Sequence, residues 1–144
     1  MTSQLNVDTI VDKAGSGGTN VKVANTSTYV SDGGGVTQNT VQGLAKQWVS
    51  LDQTGVTIND SLNIASVTDN ATGDFNPNFA NNMNSANGYA VSLCCGDSGA
   101  RFHGDVVNKA AVTSSTYRTF WVNTTDASVN DNDIATSIVH GDLA

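Results

Sequence analysis

Cys94 and Cys95, the chain's two cysteines, stand side by side, and its two histidines, His103 and His140, lie far apart. Neighbouring residues of a strand point to opposite faces, so a bridge between these two thiols needs strained geometry. A metal held by His103 with Cys94 or Cys95 is the conceivable ligand set, but no His-x-x-x-His or Cys-x-x-Cys spacing accompanies it. The expectation is two unmetallated thiols and two ordinary strand or loop histidines.

Acid/base chemistry needs two carboxylates held together, one of them in an apolar pocket. The candidates are Asp69 with Asp74, Asp97 with Asp105, and Asp126 with Asp131 and Asp133, nearly all beside Asn, Gly, Ser or Thr. That is turn chemistry first. The stretch from Asp126 to Asp133 could gather oxygen ligands for calcium, yet it lacks the acidic spacing, glycine and final Glu of a helix-loop-helix site.

Ser98 sits in Gly96-Asp97-Ser98-Gly99-Ala100, which is not a Gly-x-Ser-x-Gly nucleophile turn. Gly15-Ser16-Gly17-Gly18 and Gly33-Gly34-Gly35 lack the Lys-Ser/Thr of a phosphate loop and the spacing of a dinucleotide loop. The sequence therefore predicts no catalytic residue and no cofactor. Trp48, Tyr89, Tyr117, Phe120 and Trp121 could make a sugar-stacking surface, and the competing expectation places Trp121, with Phe120 or Tyr117, in the core.

The elements that must carry these residues are strands. Ser, Thr and Asn make up a third of the chain, charged residues only 13%, and there are 14 glycines against one proline. Such a composition favours strands and turns. The net charge of −7, with six scattered basic residues, leaves no patch to neutralise phosphates, so nucleic acid is not an expected partner. No basic start followed by an apolar run and no 18-residue apolar stretch occurs, so neither secretion nor membrane insertion is expected. The expected place of synthesis and assembly is a cytoplasm.

Residues 1–43 read as an extended, glycine-punctuated N-terminal arm: Leu5, Val7, Thr9 and Val11 alternate with Asn6, Asp8, Ile10 and Asp12, and Val21 to Ala24 forms a second short run. Too few apolar residues are present for the arm to bury itself, so Leu5, Val7, Ile10, Val11, Val21 and Val23 are the expected oligomer and attachment interface.

Residues 44–144 read as an antiparallel β-sandwich or barrel. In its first strand Ala45, Gln47, Val49 and Leu51 face one way and Lys46, Trp48 and Ser50 the other, closed by a turn at Asp52-Gln53-Thr54-Gly55. Strand patterns follow at Val56–Ile58 and Leu62–Val67, with a turn from Asp69 to Asp74, and Pro77 demotes its segment to an edge or irregular strand. After the Asn-rich loop from Asn81 to Asn87, Tyr89, Val91, Leu93 and Cys95 alternate with Ala90, Ser92 and Cys94. Arg101–Val107, Thr116–Thr124 and Ile134–His140 complete the series.

These residues resemble a family. Ser3 to Gly17 is similar to the leader of fibre and appendage proteins of marine tailed bacteriophages. Ala45-Lys46-Gln47-Trp48-Val49-Ser50-Leu51-Asp52 with Gly55, then Asp60 to Phe75, Asn78-Phe79, the strand after Asn87 and the ending from Asp133 to Asp142, resemble their terminal β-domain. The resemblance implies a virion surface protein, trimeric, non-catalytic, attached to other virion proteins through its N-terminus. Family members are commonly longer because a shaft separates leader and terminal domain; here that shaft is nearly absent. The departure favours a short spike, a head fibre or a capsid decoration over a long tail fibre. A host-surface glycan is the ligand expected if the domain serves adsorption instead.

Overall fold

The computed structural model describes residues 28–30, 37–96, 102–107 and 109–144. The chain divides between Val41 and Gln42 into two units. In the first, strand β1 (Thr28–Val30) pairs antiparallel with β2 (Thr37–Asn39), Thr28 opposite Asn39. A four-residue helical turn, Thr40–Gly43, follows. The expected interface residues Leu5, Val7, Ile10, Val11, Val21 and Val23 lie outside the described residues.

The second unit is an all-β sandwich. Its strands are β3 (Ala45–Asp52), β4 (Thr57–Leu62), β5 (Ile64–Ala71), β6 (Asp74–Phe79), β7 (Tyr89–Gly96), β8 (Phe102–Val106), β9 (Thr119–Asn123) and β10 (Ile134–Gly141). One sheet runs β4-β3-β10-β7 and the other β5-β6-β9-β8, every pair antiparallel.

A single residue, Asn63, carries the chain from the first sheet to the second. It adopts φ 57°, a left-handed conformation that asparagine tolerates better than most residues. Its side chain holds the corner: Nδ2 donates to the carbonyls of Lys46 and Asn81 at 3.0 Å each, and Oδ1 accepts from the Asn81 amide. The sequence pattern ran one strand through this corner, because Leu62 and Ile64 alternate correctly on either side of it.

Two apolar clusters fill the space between the sheets. Val49, Leu51 and Phe75 form one, with Ile64 and Val67 against it. Phe79, Met83, Tyr117 and Val139 form the other, closed by residues that include Tyr89, Val91 and Leu93. Within it the rings of Phe79, Tyr89 and Tyr117 meet at 5.6–6.5 Å between centroids, tilted or edge-on, the arrangement that ring quadrupoles favour. Trp121 is buried at 2% exposure and Tyr117 at 0%, whereas Phe120, one residue out of phase, faces away and is half-buried.

The strand patterns of β3 and β7 follow the alternation read from sequence. Three segments differ. Of the two alternatives for the Pro77 segment the edge fails and the irregular strand holds: Pro77 lies in β6, the second strand of its sheet, and pairs with Val67 of β5, while the pairing of β6 with β9 covers only Asp74 and Phe75. A missing amide hydrogen is tolerated there because β9 has already diverged, and the Pro77 carbonyl accepts from Thr116 Oγ1 at 2.7 Å. The strand read as beginning at Thr116 begins at Thr119, since Thr113–Thr116 closes into a turn around Thr113 Oγ1. The turn read from Asp69 to Asp74 is tighter, with Ala71 opposite Asp74 and Gly73 at φ 66° between them.

Candidate functional site

The groups that could do chemistry are dispersed, and most of those described are engaged in holding the fold. Cys94 and Cys95 sit on opposite faces of β7, Cys94 exposed on the outer face and Cys95 half-buried towards the sandwich. His103 and Asp105 share the outer face of β8 and pair at 3.0 Å, both well exposed. Among the described residues no group of three or more His, Cys, Asp or Glu is placed to hold a metal ion.

The acidic loop read as a possible calcium ligand set is organised as turns. Asp126 Oδ1 accepts from the amide and hydroxyl of Ser128, and the Ser128 hydroxyl holds its carboxyl below the usual range. Asp131 Oδ1 accepts from the Gly73 amide at 2.7 Å, tying this loop to the β5–β6 hairpin. Asp52 caps its own turn through Thr54, whose hydroxyl also lowers its pKa.

The interior carries a polar set that the sequence did not single out. Tyr117 Oη donates to Gln47 Oε1 at 3.0 Å and shares a hydrogen bond with Ser137 Oγ, joining β3 and β10 to the segment before β9. Burial pushes the Tyr117 hydroxyl well above its ordinary pKa, and the bonds from Ser137 and Gln47 only partly oppose this. Further along, Gln53 Oε1 accepts from both the backbone amide and side-chain amide of Asn132, so the β3–β4 turn is pinned to the start of β10. Gln47, Gln53 and Asn132 are all fully buried or nearly so. A buried glutamine in an alternating strand is invisible to pattern reading, because the pattern gives its direction and not its depth.

The two outer faces differ in chemistry. On the β5-β6-β9-β8 sheet the face is polar. Asn78 Nδ2 donates to Ser66 Oγ and Thr68 Oγ1, and Asn70 Nδ2 donates to Asn76 and Asp74. Arg118 grips Asp74 with two donors, Nε to Oδ1 at 2.7 Å and Nη2 to Oδ2. That guanidinium is the main reason the Asp74 carboxyl is held below its usual pKa. A shallow groove of about 340 Å³ lies here, lined by Asn70, Asn76, Ala110, Ala111 and Arg118. Phe120, opposite Asp74 across the β6–β9 ladder, stands beside it. Another shallow groove, about 420 Å³, is lined by residues 87–90 and His140, Gly141 and Asp142.

On the β4-β3-β10-β7 sheet the outer face carries Leu62, Trp48, Ile138 and Ile134, with exposures of 46% at Leu62, 43% at Ile138 and 51% at Ile134. Of the aromatic residues proposed as a sugar platform, then, Tyr117 and Trp121 are core, and Tyr89 turns inward to donate from Oη to the Thr113 carbonyl at 2.9 Å. Trp48 and Phe120 face outward on different sheets.

The fold and these surfaces define an all-β sandwich of two four-stranded antiparallel sheets. Comparison with known protein families, with curated proteins and with solved structures found no match.

Proposed function

We propose that this chain is a non-catalytic structural protein of a bacteriophage virion surface, a homotrimeric short fibre or spike attached through its N-terminal arm to other virion proteins. The resemblance of residues 45–52, 60–75 and 133–142 to the terminal domain of phage appendage proteins supports the reading. The observation that carries it is how the reactive groups are used: Asp52, Asp126, Asp131 and the Asp74–Arg118 pair are engaged in turns and cross-strand ties. What the domain offers is surface. Capsid decoration is the neighbouring reading in the same class, and copy number separates them, following the capsid lattice for a decoration protein and the attachment points for a fibre.

Sedimentation equilibrium of the full chain at micromolar concentration tests the trimer, with a mass three times that of the 14.9 kDa chain expected. A stable folded monomer overturns it. Deletion of residues 1–35 is expected to leave a folded β-domain that no longer joins the particle, and normal incorporation refutes the attachment role of the arm.

A second reading, adsorption to a host glycan, is favoured by the amide-rich groove around Arg118 beside Phe120. Shallow grooves lined by planar amides and an ion pair suit sugar hydroxyls, and an aromatic flank suits a sugar face. Binding of neutral hexose oligosaccharides that is lost in Asn76→Ala supports it; unchanged binding in that variant, or none in the parent, rejects it.

A further inference from the structure

The alternation in β10 is inverted. Its inward residues are Ala135, Ser137 and Val139, buried at 0–4% exposure, while its outward residues include Ile134 and Ile138. An antiparallel sheet with one solvated face ordinarily puts its polar residues outward. The β5-β6-β9-β8 sheet largely does so, with Ser66, Thr68, Asn76 and Asn78 on its outer side. The β4-β3-β10-β7 sheet places larger apolar side chains outside β10 than inside it, the pattern of a strand covered on both faces.

The register sorts this outer face into rows. Trp48 lies opposite Leu62 on one side and Ile138 on the other, and Ile138 lies opposite Ser92. The adjacent row is Asp60, Ser50, Thr136 and Cys94. One row is therefore mostly apolar and the next is made of small polar groups. We propose that this face is the surface through which copies of the domain meet, about a threefold axis running along the strands.

Three observations point to further copies of this chain as the occupant. A rotation axis parallel to the strands brings each row against the same row of the next copy, mostly apolar against apolar and small polar against small polar, so rows of like chemistry suit self-association. The chain carries a net charge of −7, and like-charged copies can approach only where charge is thin. These two rows hold one formal charge, Asp60, with Asp52 and His140 at the ends of the same face, whereas the other outer face holds Asp74, Arg118, His103 and Asp105. Finally, four strands about 4.8 Å apart, three of eight residues and one of six at about 3.4 Å per residue, give a flat footprint of roughly 500 Å². That is more than half of the roughly 800 Å² per partner typical of a stable interface.

The inference rests on the trimeric reading above, and the experiment separates the two. Full-length parent, Ile138→Asn, Leu62→Asn and a control, Val122→Asn on the other sheet's outer face, are compared by sedimentation. The two interface variants are expected to fall to monomer, or to need at least tenfold more protein to assemble, with the control unchanged. If the parent is a monomer, the trimeric reading fails and the inference with it. If the parent is a trimer and both interface variants assemble like it, the trimer stands and this face is not its interface. A measurement without substitution guards against variants that fail to fold. Cys94, exposed on this face of the single chain, is expected to react with a maleimide at least tenfold more slowly in the native assembly than in urea, read by peptide mapping. Equal rates in an assembled parent overturn the inference.

Discussion

Gly104 offers the sharpest test of the packing. It lies directly opposite Trp121 in the β8–β9 ladder, and a methyl group built on it falls 2.3 Å from Trp121 Cζ3, with Cε3 and Cη2 at 2.6 and 2.7 Å. Ordinary carbon–carbon contact is about 3.5–4.0 Å, so Gly104→Ala forces the indole to retreat by more than about 1 Å. Trp121 is 2% exposed and has little room to move. Overpacking of this kind typically costs about 1–3 kcal/mol. At roughly 4–8 °C per kcal/mol for a domain of about 100 residues, a cost near 2 kcal/mol lowers Tm by roughly 8–16 °C. Trp121→Ala alone removes a core aromatic at about 3–5 kcal/mol. In the double variant the methyl meets no ring, so the Gly104→Ala penalty should largely vanish and the cycle should show a coupling close to that penalty. Thermal melts of the four proteins by circular dichroism measure it. A Gly104→Ala protein that melts within a degree or two of the parent, or strictly additive effects, refutes the placement of the indole against Gly104. If Trp121→Ala melts like the parent but no longer adsorbs to glycans, Trp121 belongs to a binding surface and not the core.

Three further outcomes follow from local geometry. Val56 sits at φ 48° in the β3–β4 turn, a conformation poor for a β-branched residue, and its side chain is 40% exposed; Val56→Gly is therefore expected to stabilise by about 0.5–1 kcal/mol, read as a raised denaturant midpoint. Tyr117→Phe strips a partner from buried Gln47 Oε1 and Ser137 Oγ and should cost about 1–3 kcal/mol in urea unfolding. Because the folded-state pKa of Tyr117 is raised, its contribution is complete below the unfolded pKa of about 10 and is lost as pH rises above it. Tyr89, pushed to about 12 by burial, acts in the same direction, so alkaline melts should drop from about pH 10 and less steeply in Tyr117→Phe. Asp74 has the opposite sign. Its depressed pKa gives stability that is present above about pH 4 and lost as pH falls through the folded-state value, so Asp74→Asn should flatten the acid limb of the melting profile.

The strand framework was legible because period-two alternation is a direct record of facing. Gln47, Val49 and Leu51 read as one face of β3 and are its buried face; Tyr89, Val91 and Leu93 read likewise in β7. Buried aromatic residues in the strand before the acidic loop were legible for the same reason. Tertiary context hid the remainder. Met83, 1% exposed, sits in a run of asparagines that reads as a solvated loop, and it is buried because its backbone bridges to Leu143. Gln53 reads as a turn residue and is interior because Asn132, remote in sequence, supplies its partners.

For the proposed interface the difficulty is of a different kind. Alternation separates two faces of a strand but does not say which is inside when both carry apolar residues. In Ile134–Gly141 the larger residues Ile134 and Ile138 share one face and Ala135, Ser137 and Val139 the other, and hydrophobicity alone assigns the isoleucines inward. The fold reverses this because the interior opposite β10 is already occupied by Phe79, Met83 and Tyr117, and the Tyr117 hydroxyl requires Ser137 beside it. With the isoleucines outward, Ser137 stands beside the buried Tyr117 hydroxyl and shares a hydrogen bond with it. Ser137→Ala, which keeps the small volume and removes the hydroxyl that hydrogen-bonds Tyr117, should weaken the fold while leaving the direction of Ile138, and with it the state of assembly, unchanged; a loss of assembly in a folded Ser137→Ala protein refutes that separation.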